Sequence, residues 1–195
     1  MKKLTILCDM DGIITDLLKK WLDRYNNDHD DDLTVADLKE PDIHKAVKPG
    51  VGTDMYDYIK EPGFFDDLEP IPGAVKALTA LAMEGHNVLI ATAHADNPQC
   101  ASAKIRWAQE HLGFSRKQVI LIHAKHLLRG DVFIDDTPKK ITAYKEAWPD
   151  SRVLTIAYPY NEGVAGVADL RASDWSKPEL AWDEMAQYIR NLAES

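Results

Sequence analysis

Two carboxylates, Asp9 and Asp11, with Gly12 after them, stand directly behind the apolar run Leu4-Thr5-Ile6-Leu7-Cys8. In an open α/β sheet, ligands bind outside the carboxyl ends of the strands, so a strand that runs into acid offers that acid to a ligand crevice. Phosphoryl chemistry suits such a place, and Gly12 frees the backbone to turn sharply there. Taken alone, an Asp-x-Asp-Gly run reads equally well as loop and capping acids at a strand border, because a motif match needs its structural context.

Two further strand ends and one lysine supply context. Thr92 closes Val88-Leu89-Ile90-Ala91, and Asp135-Asp136 closes Val132-Phe133-Ile134. Lys125 lies between the strand predicted over 118–122 and the strand ending in Asp135, and can bring an ammonium to the same edge. Each is weak by itself: a threonine at a strand end is commonly an N-cap, and a lysine is commonly a solvated surface charge. Parallel strands bring their carboxyl ends to one edge, so the four features together point to a site. His94, His123 and His126 fall nearby without the paired helical spacing of a zinc motif, and are read as bystanders or polar wall rather than ligands.

The elements that must position these residues follow from periodicity. After the first strand and its acidic turn, Leu17, Leu18, Trp21, Leu22 and Tyr25 recur at helical spacing. Between Asn26 and Pro70 the pattern breaks into short amphipathic pieces punctuated by Pro41, Pro49-Gly50, Gly52 and Pro62-Gly63, with no strand signal. Thr34 with Asp37 resembles a capping arrangement, and Thr53 is expected to cap a helix carrying Met55, Tyr58 and Ile59. The acidic cluster from Asp28 to Asp32 reads as a solvated loop, since it lacks the spaced oxygen ligands of a calcium site. From Pro70-Ile71-Pro72-Gly73 onward helices are predicted at 74–84, 101–112, 138–147 and 178–193, and strands at 87–91, 118–122, 131–134 and 152–156. This alternation predicts an α/β, doubly wound (Rossmann-like) parallel-sheet core formed by residues 1–16 and 71–195, with a small helical insertion at 17–70 after the first strand.

At 195 residues the chain is long enough to bury roughly 70% of its unfolded surface. A formal charge of −9 and the lack of a Lys/Arg cluster argue against polymeric nucleic acid or an anionic membrane as partner. A small anionic substrate fits if a metal supplies positive charge. The two cysteines, Cys8 and Cys100, form no Cys-x-x-Cys or disulfide framework, and the apolar run behind Lys2 and Lys3 is too short for a signal peptide or membrane span. A soluble cytoplasmic protein is expected, and a homodimer is left open.

In order and type, Asp9-Met10-Asp11-Gly12, Thr92, Lys125 and Asp135-Asp136 resemble the four motifs of the haloacid-dehalogenase-like phosphatase superfamily. The 17–70 insertion then resembles that superfamily's mobile cap. A closer resemblance is to the 5'(3')-deoxyribonucleotidases, carried by Glu61-Pro62-Gly63-Phe64-Phe65, Asp67-Leu68-Glu69-Pro70-Ile71-Pro72-Gly73, Arg106-Trp107 with His111-Leu112-Gly113, and Ile134-Asp135-Asp136.

The chemistry implied is hydrolysis of a phosphomonoester, a very slow reaction in water that demands a nucleophile, charge neutralisation and a proton for the leaving oxygen. Asp9 would attack phosphorus to form an aspartyl-phosphate. Asp11 would protonate the leaving alkoxide and later deprotonate the attacking water. Two carboxylates facing a phosphate require a cation, and Mg²⁺ fits because it prefers oxygen ligands. By resemblance, its ligands are the Asp9 carboxylate, the Asp11 backbone carbonyl and Asp135. Thr92 would hydrogen-bond a phosphate oxygen, while Lys125 would neutralise phosphate and nucleophile and be held in place by Asp136.

The substrate implied is a nucleoside monophosphate, with Phe64 and Phe65 offering either a face for base stacking or packing between cap and core. Two departures keep base and sugar open. Thr92-Ala93-His94 stands where those nucleotidases resemble Thr-Ser-Pro, and Leu17 replaces an aromatic residue after the first motif. Another small phosphometabolite such as a sugar phosphate, a phosphoryl acceptor other than water, and a non-catalytic phosphate-binding module remain alternatives.

Overall fold

The computed structural model describes residues 2–195. Six strands, β1 (Thr5–Cys8), β2 (Asn87–Thr92), β3 (Val119–Leu121), β4 (Val132–Ile134), β5 (Arg152–Ala157) and β6 (Leu170–Asp174), form one sheet in the order β3-β2-β1-β4-β5-β6. All five pairings are parallel. The order reverses between β1 and β4, which is the position where a doubly wound sheet opens a crevice at its carboxyl edge. Cys8 pairs with Ile90 on one side and Ile134 on the other, so the residues that follow, Asp9 and Asp135, emerge side by side.

The helices are α1 (Leu17–His29), α2 (Ala74–Met83), α3 (Cys100–Leu112), α4 (Pro138–Ala147) and α5 (Pro178–Glu194). Alternation along the strands divides the core into two layers. Ile6, Cys8, Ile90, Ile134, Leu154 and Ile156 pack in one cluster with Leu78 of α2, Trp107 of α3 and Trp182 of α5. Leu7, Ala91, Phe133 and Val153 pack in the other with Ile141 and Tyr144 of α4, where the rings of Phe133 and Tyr144 stack 4.0 Å apart. The expected α/β parallel sheet is therefore present, with buried strands reading as the continuous apolar runs that such sheets require.

The chain leaves the sheet layer and returns at one place. Asp16 N donates to Glu69 O (2.8 Å) and Ile71 N to Ile14 O (2.7 Å), an antiparallel contact beside the Asp-x-Asp-Gly turn. Between these points lie α1 and short 3-10 helices at Val35–Asp37, Ile43–Lys45 and Gly52–Lys60, with no strand among the described residues of that segment. Thr34 and Asp37 do form a capping box, on a single 3-10 turn. Thr53 does not cap the later helix: that helix starts at Gly52 behind Val51, has no side-chain cap, and is wound as 3-10 instead of α.

Strand β6 was not predicted from sequence. Its Leu-Arg-Ala-Ser-Asp run is polar, only Ala172 is fully buried, and it sits at the sheet edge, where propensity and alternation carry little signal.

Candidate active site

Asp9 leaves β1 with its backbone N–H donating to Ile134 O (2.8 Å), which fixes the acid against β4. Its side chain is 3% exposed. One oxygen, Oδ1, accepts from Met10 N (2.7 Å); the other, Oδ2, faces Lys125 Nζ at 2.5 Å and Lys140 Nζ at 3.4 Å. Lys125 comes from a one-turn helix, Lys125–Leu127, beyond β3, and its ammonium also donates to Asp135 Oδ2 at 2.7 Å. Asp135 Oδ1 accepts from Thr137 N (2.9 Å) at the start of α4.

Asp136 does not hold Lys125, contrary to the expectation above. Asp135 and Asp136 follow the end of β4 and take different partners. Asp135 turns to Lys125, whereas Asp136 Oδ2 accepts from the Tyr160 hydroxyl (2.7 Å) and Oδ1 from Thr137 Oγ1 (3.2 Å). Gly12 makes this arrangement possible: it has φ of +74°, and a Cβ there would lie 2.7 Å from Asp136 Oδ2. The turn is held from behind by Tyr158, whose hydroxyl donates to Gly12 O (2.8 Å) and whose ring stacks on Tyr160 at 4.9 Å.

The charges explain the electrostatics. Burial by itself would raise the Asp9 carboxyl, but Lys125 and Lys140 override it and hold the group well below the usual carboxylate range. For Asp135 burial wins, and with the adjacent Asp9 charge it pushes the carboxyl up to about 7. Burial and Asp9 likewise raise Asp136. Burial opposes the charge on Lys125, yet Asp9 and Asp135 raise it above the ordinary ammonium range. One oxygen each from Asp9, Asp135 and Asp136 lies within 4.8 Å of the others, a hard-oxygen cluster with three potential negative charges. That donor set fits a hard divalent cation, which would offset the repulsion among the three carboxylates.

A second group adjoins the first. Asp11 Oδ1 accepts from Thr15 Oγ1 (3.2 Å), and Oδ2 is ion-paired with Lys104. Lys104, on α3, also donates to Thr92 Oγ1 (2.9 Å) and Ala93 O (2.6 Å), while the Thr92 hydroxyl donates to Ala93 O (3.2 Å). The residues predicted from sequence thus gather as an Asp9–Lys125–Asp135–Asp136 cluster and an Asp11–Thr92 pair. Lys104, Lys140 and Tyr160 were missed. A signal for Lys104 existed, because it interrupts the buried stripe Cys100, Ala103, Trp107 and Ala108 of an amphipathic helix.

Asp9, Asp11, Asp136 and Lys140 border a cavity of about 310 Å³ whose other wall is built by Leu17, Leu18, Trp21, Leu38 and Ile43 together with the acidic Glu40 and Asp42. Phe64 and Phe65 do not border it. They are buried edge-to-face at 5.5 Å, Phe64 beneath Lys20 Nζ (4.8 Å) and Phe65 beside Lys104 Nζ (5.5 Å). His94 and His123 meet edge-to-face at 4.9 Å on the surface, and neither they nor His126 join the acidic cluster. Among the described residues no helix is long and apolar enough to cross a membrane.

Comparison with known proteins accords with this geometry. The chain is 30% identical over 190 residues to the 5'(3')-deoxyribonucleotidase of Clostridium acetobutylicum, covering 97% of this chain and 100% of that one. It is 30% identical over 143 residues to the cytosolic-type 5'(3')-deoxyribonucleotidase of Homo sapiens, covering 69% and 71%. A solved HAD hydrolase of family IA, variant 3, from Entamoeba histolytica shares the fold at a TM-score of 0.50 with 14% identity, covering 97% of this chain and 100% of that one. Residues 2–185 match the family model for 5' nucleotidase, deoxy (pyrimidine), cytosolic type C protein. The chain therefore belongs to that nucleotidase family.

Proposed function

We propose that the protein is a Mg²⁺-dependent phosphomonoester hydrolase that releases phosphate from nucleoside 5'-monophosphates through an aspartyl-phosphate on Asp9. The observation that carries this reading is a nearly buried carboxylate, held ionised by Lys125 and Lys140, at the wall of a cavity large enough for a small phosphate ester. Asp9 Oδ attacks phosphorus as the ester P–O bond breaks, and the leaving alkoxide takes a proton from Asp11. Asp11 then removes a proton from water, which attacks the phosphorus of the acyl phosphate, frees phosphate and restores Asp9.

Lys125 neutralises charge between nucleophile and phosphate, and Thr92 would turn its hydroxyl from Ala93 O to a phosphate oxygen. Asp9, the Asp11 carbonyl and Asp135, with Asp136 beside them, would hold Mg²⁺, which when bound supplies positive charge against the phosphate. Residues 17–70 serve as the cap over a core of 1–16 and 71–195. The apolar wall of Leu17, Leu18 and Trp21 receives the nucleoside, with Phe64 and Phe65 packed behind it. Cys8 and Cys100 are free buried thiols, which supports a reducing cytoplasm as the place of work.

The test is a panel of phosphomonoesters with Mg²⁺ or a chelator: ribo- and deoxyribonucleoside monophosphates, sugar phosphates and an aryl phosphate. Nucleoside monophosphates should have the highest kcat/KM and chelation should abolish turnover. No turnover of any ester, or sugar phosphates ahead of every nucleotide, defeats the proposal.

The raised Asp135 carboxyl gives a second test. A carboxyl with ordinary pKa 3.8 that is pushed up to about 7 holds its proton longer in the folded chain than in the unfolded one. Its contribution to stability therefore falls as pH rises from about 4 to about 7. Mg²⁺ must displace that proton at low pH but not at high pH. The rise in Tm on adding millimolar Mg²⁺ should be clearly larger at about pH 8 than at about pH 5, read by thermal denaturation. An equal rise at both would remove Asp135 from the metal site.

A further inference from the structure

We infer that Lys104 is a positioning residue for the reaction, acting through Asp11; this rests on the acid–base role proposed for Asp11. Lys104 is 1% exposed, and an ammonium is costly to bury unless its charge and donors are all met. Here they are met by three partners drawn from two strand ends: Asp11 after β1, and Thr92 Oγ1 and Ala93 O at the end of β2. An ammonium has three N–H donors, so none is left over. Among the described residues the only carboxylate it bonds is Asp11, 93 residues away in the chain.

The consequence is geometric. Asp11 is one-quarter exposed, and without Lys104 only the 3.2 Å bond from Thr15 Oγ1 would restrain its short side chain from solvent-facing rotamers. Lys104 ties it to the strand end that carries Thr92, so the group that moves the proton and the group that meets phosphate are set at a fixed spacing by one rigid helix. Asp9 needs no such help, because Met10 N and Lys125 already fix both of its oxygens. Lys104 bonds the Asp11 carboxylate and, among the described residues, makes no hydrogen bond to Asp9.

The test separates positioning from scaffolding by the leaving group. An alkyl nucleoside monophosphate needs its leaving oxygen protonated, whereas a nitrophenyl phosphate, with a much less basic leaving group, does not. Lys104→Met keeps the length and apolar stem on the buried stripe of α3 and is expected to fold. It should lower kcat on the nucleotide by about 100-fold with little change in KM, and on the aryl ester by less than about fivefold. In an Asp11→Asn background the same substitution should cost nothing further. Lys104→Gln, which can still donate to Ala93 O, should show the same split and serves if the methionine variant does not fold.

Equal losses on both esters, no loss on either, or additive losses with Asp11→Asn would overturn the assignment. Crystal structures of the two forms give a readout independent of turnover: Asp11 in one rotamer in the native protein, displaced or multiple in the variant. An unmoved Asp11 overturns positioning even if the protein hydrolyses nothing, whereas absence of native turnover alone counts against the hydrolase reading.

Discussion

Asp9→Asn should reduce phosphomonoester turnover by at least about a thousandfold, since removing a nucleophile that acts within a coupled set removes most of the set's effect. The substitution is nearly isosteric, and the amide oxygen can keep the bond from Met10 N. Lys125 would still bond Asp135, so the buried ammonium is not orphaned. Loss of the Asp9 charge also removes one of the causes that raise Asp135. The fold should therefore persist while the chemistry stops. Steady-state assay with matched thermal denaturation separates the two, and native-like turnover in a folded Asp9→Asn protein would rule out the aspartyl-phosphate.

Lys125→Met should damage both stability and turnover. Lys125 is 2% exposed, and among the described residues it is the one ammonium that bonds both Asp9 and Asp135. Removing one member of a buried charged group leaves its partners uncompensated, at a cost of about 3–5 kcal/mol. Lys140 is farther from Asp9, at 3.4 Å, and part-exposed, so it replaces little of that charge. Loss of a preorganised cation beside the phosphate should lower kcat by roughly 10²–10³. Part of the lost stability should return with Mg²⁺, because a divalent cation compensates the same carboxylates. Denaturant titration with and without Mg²⁺, alongside kcat, is the measurement; a variant as stable as the native chain would show that this ion cluster does not support the fold.

Much of the site was legible because its residues end strands. Asp9, Thr92 and Asp135 each follow an apolar run, and parallel pairing of those runs carries them to one edge without any further information. Lys125 was legible only through its order relative to them. Lys104 was hidden because a single lysine in a helix is ordinarily solvated, and only its place on the buried stripe of α3 distinguishes it. Lys140 and Tyr160 lie in α4 and beyond β5, where sequence distance from Asp9 says nothing about spatial distance.

Local pattern was sufficient, then, to establish the α/β alternation, the insertion after β1 and the acids at the carboxyl edge, because strand periodicity and chain order are properties of short segments. Tertiary structure alone decided the partners. Asp135 rather than Asp136 meets Lys125, because Tyr160 and Thr137 take the Asp136 carboxylate. Asp11 meets Lys104 across 93 residues, and Phe64 and Phe65, for which base stacking and packing were both open, are buried and do not line the cavity. Which side chains touch depends on how helices settle over the sheet, and that is set by packing of the whole core.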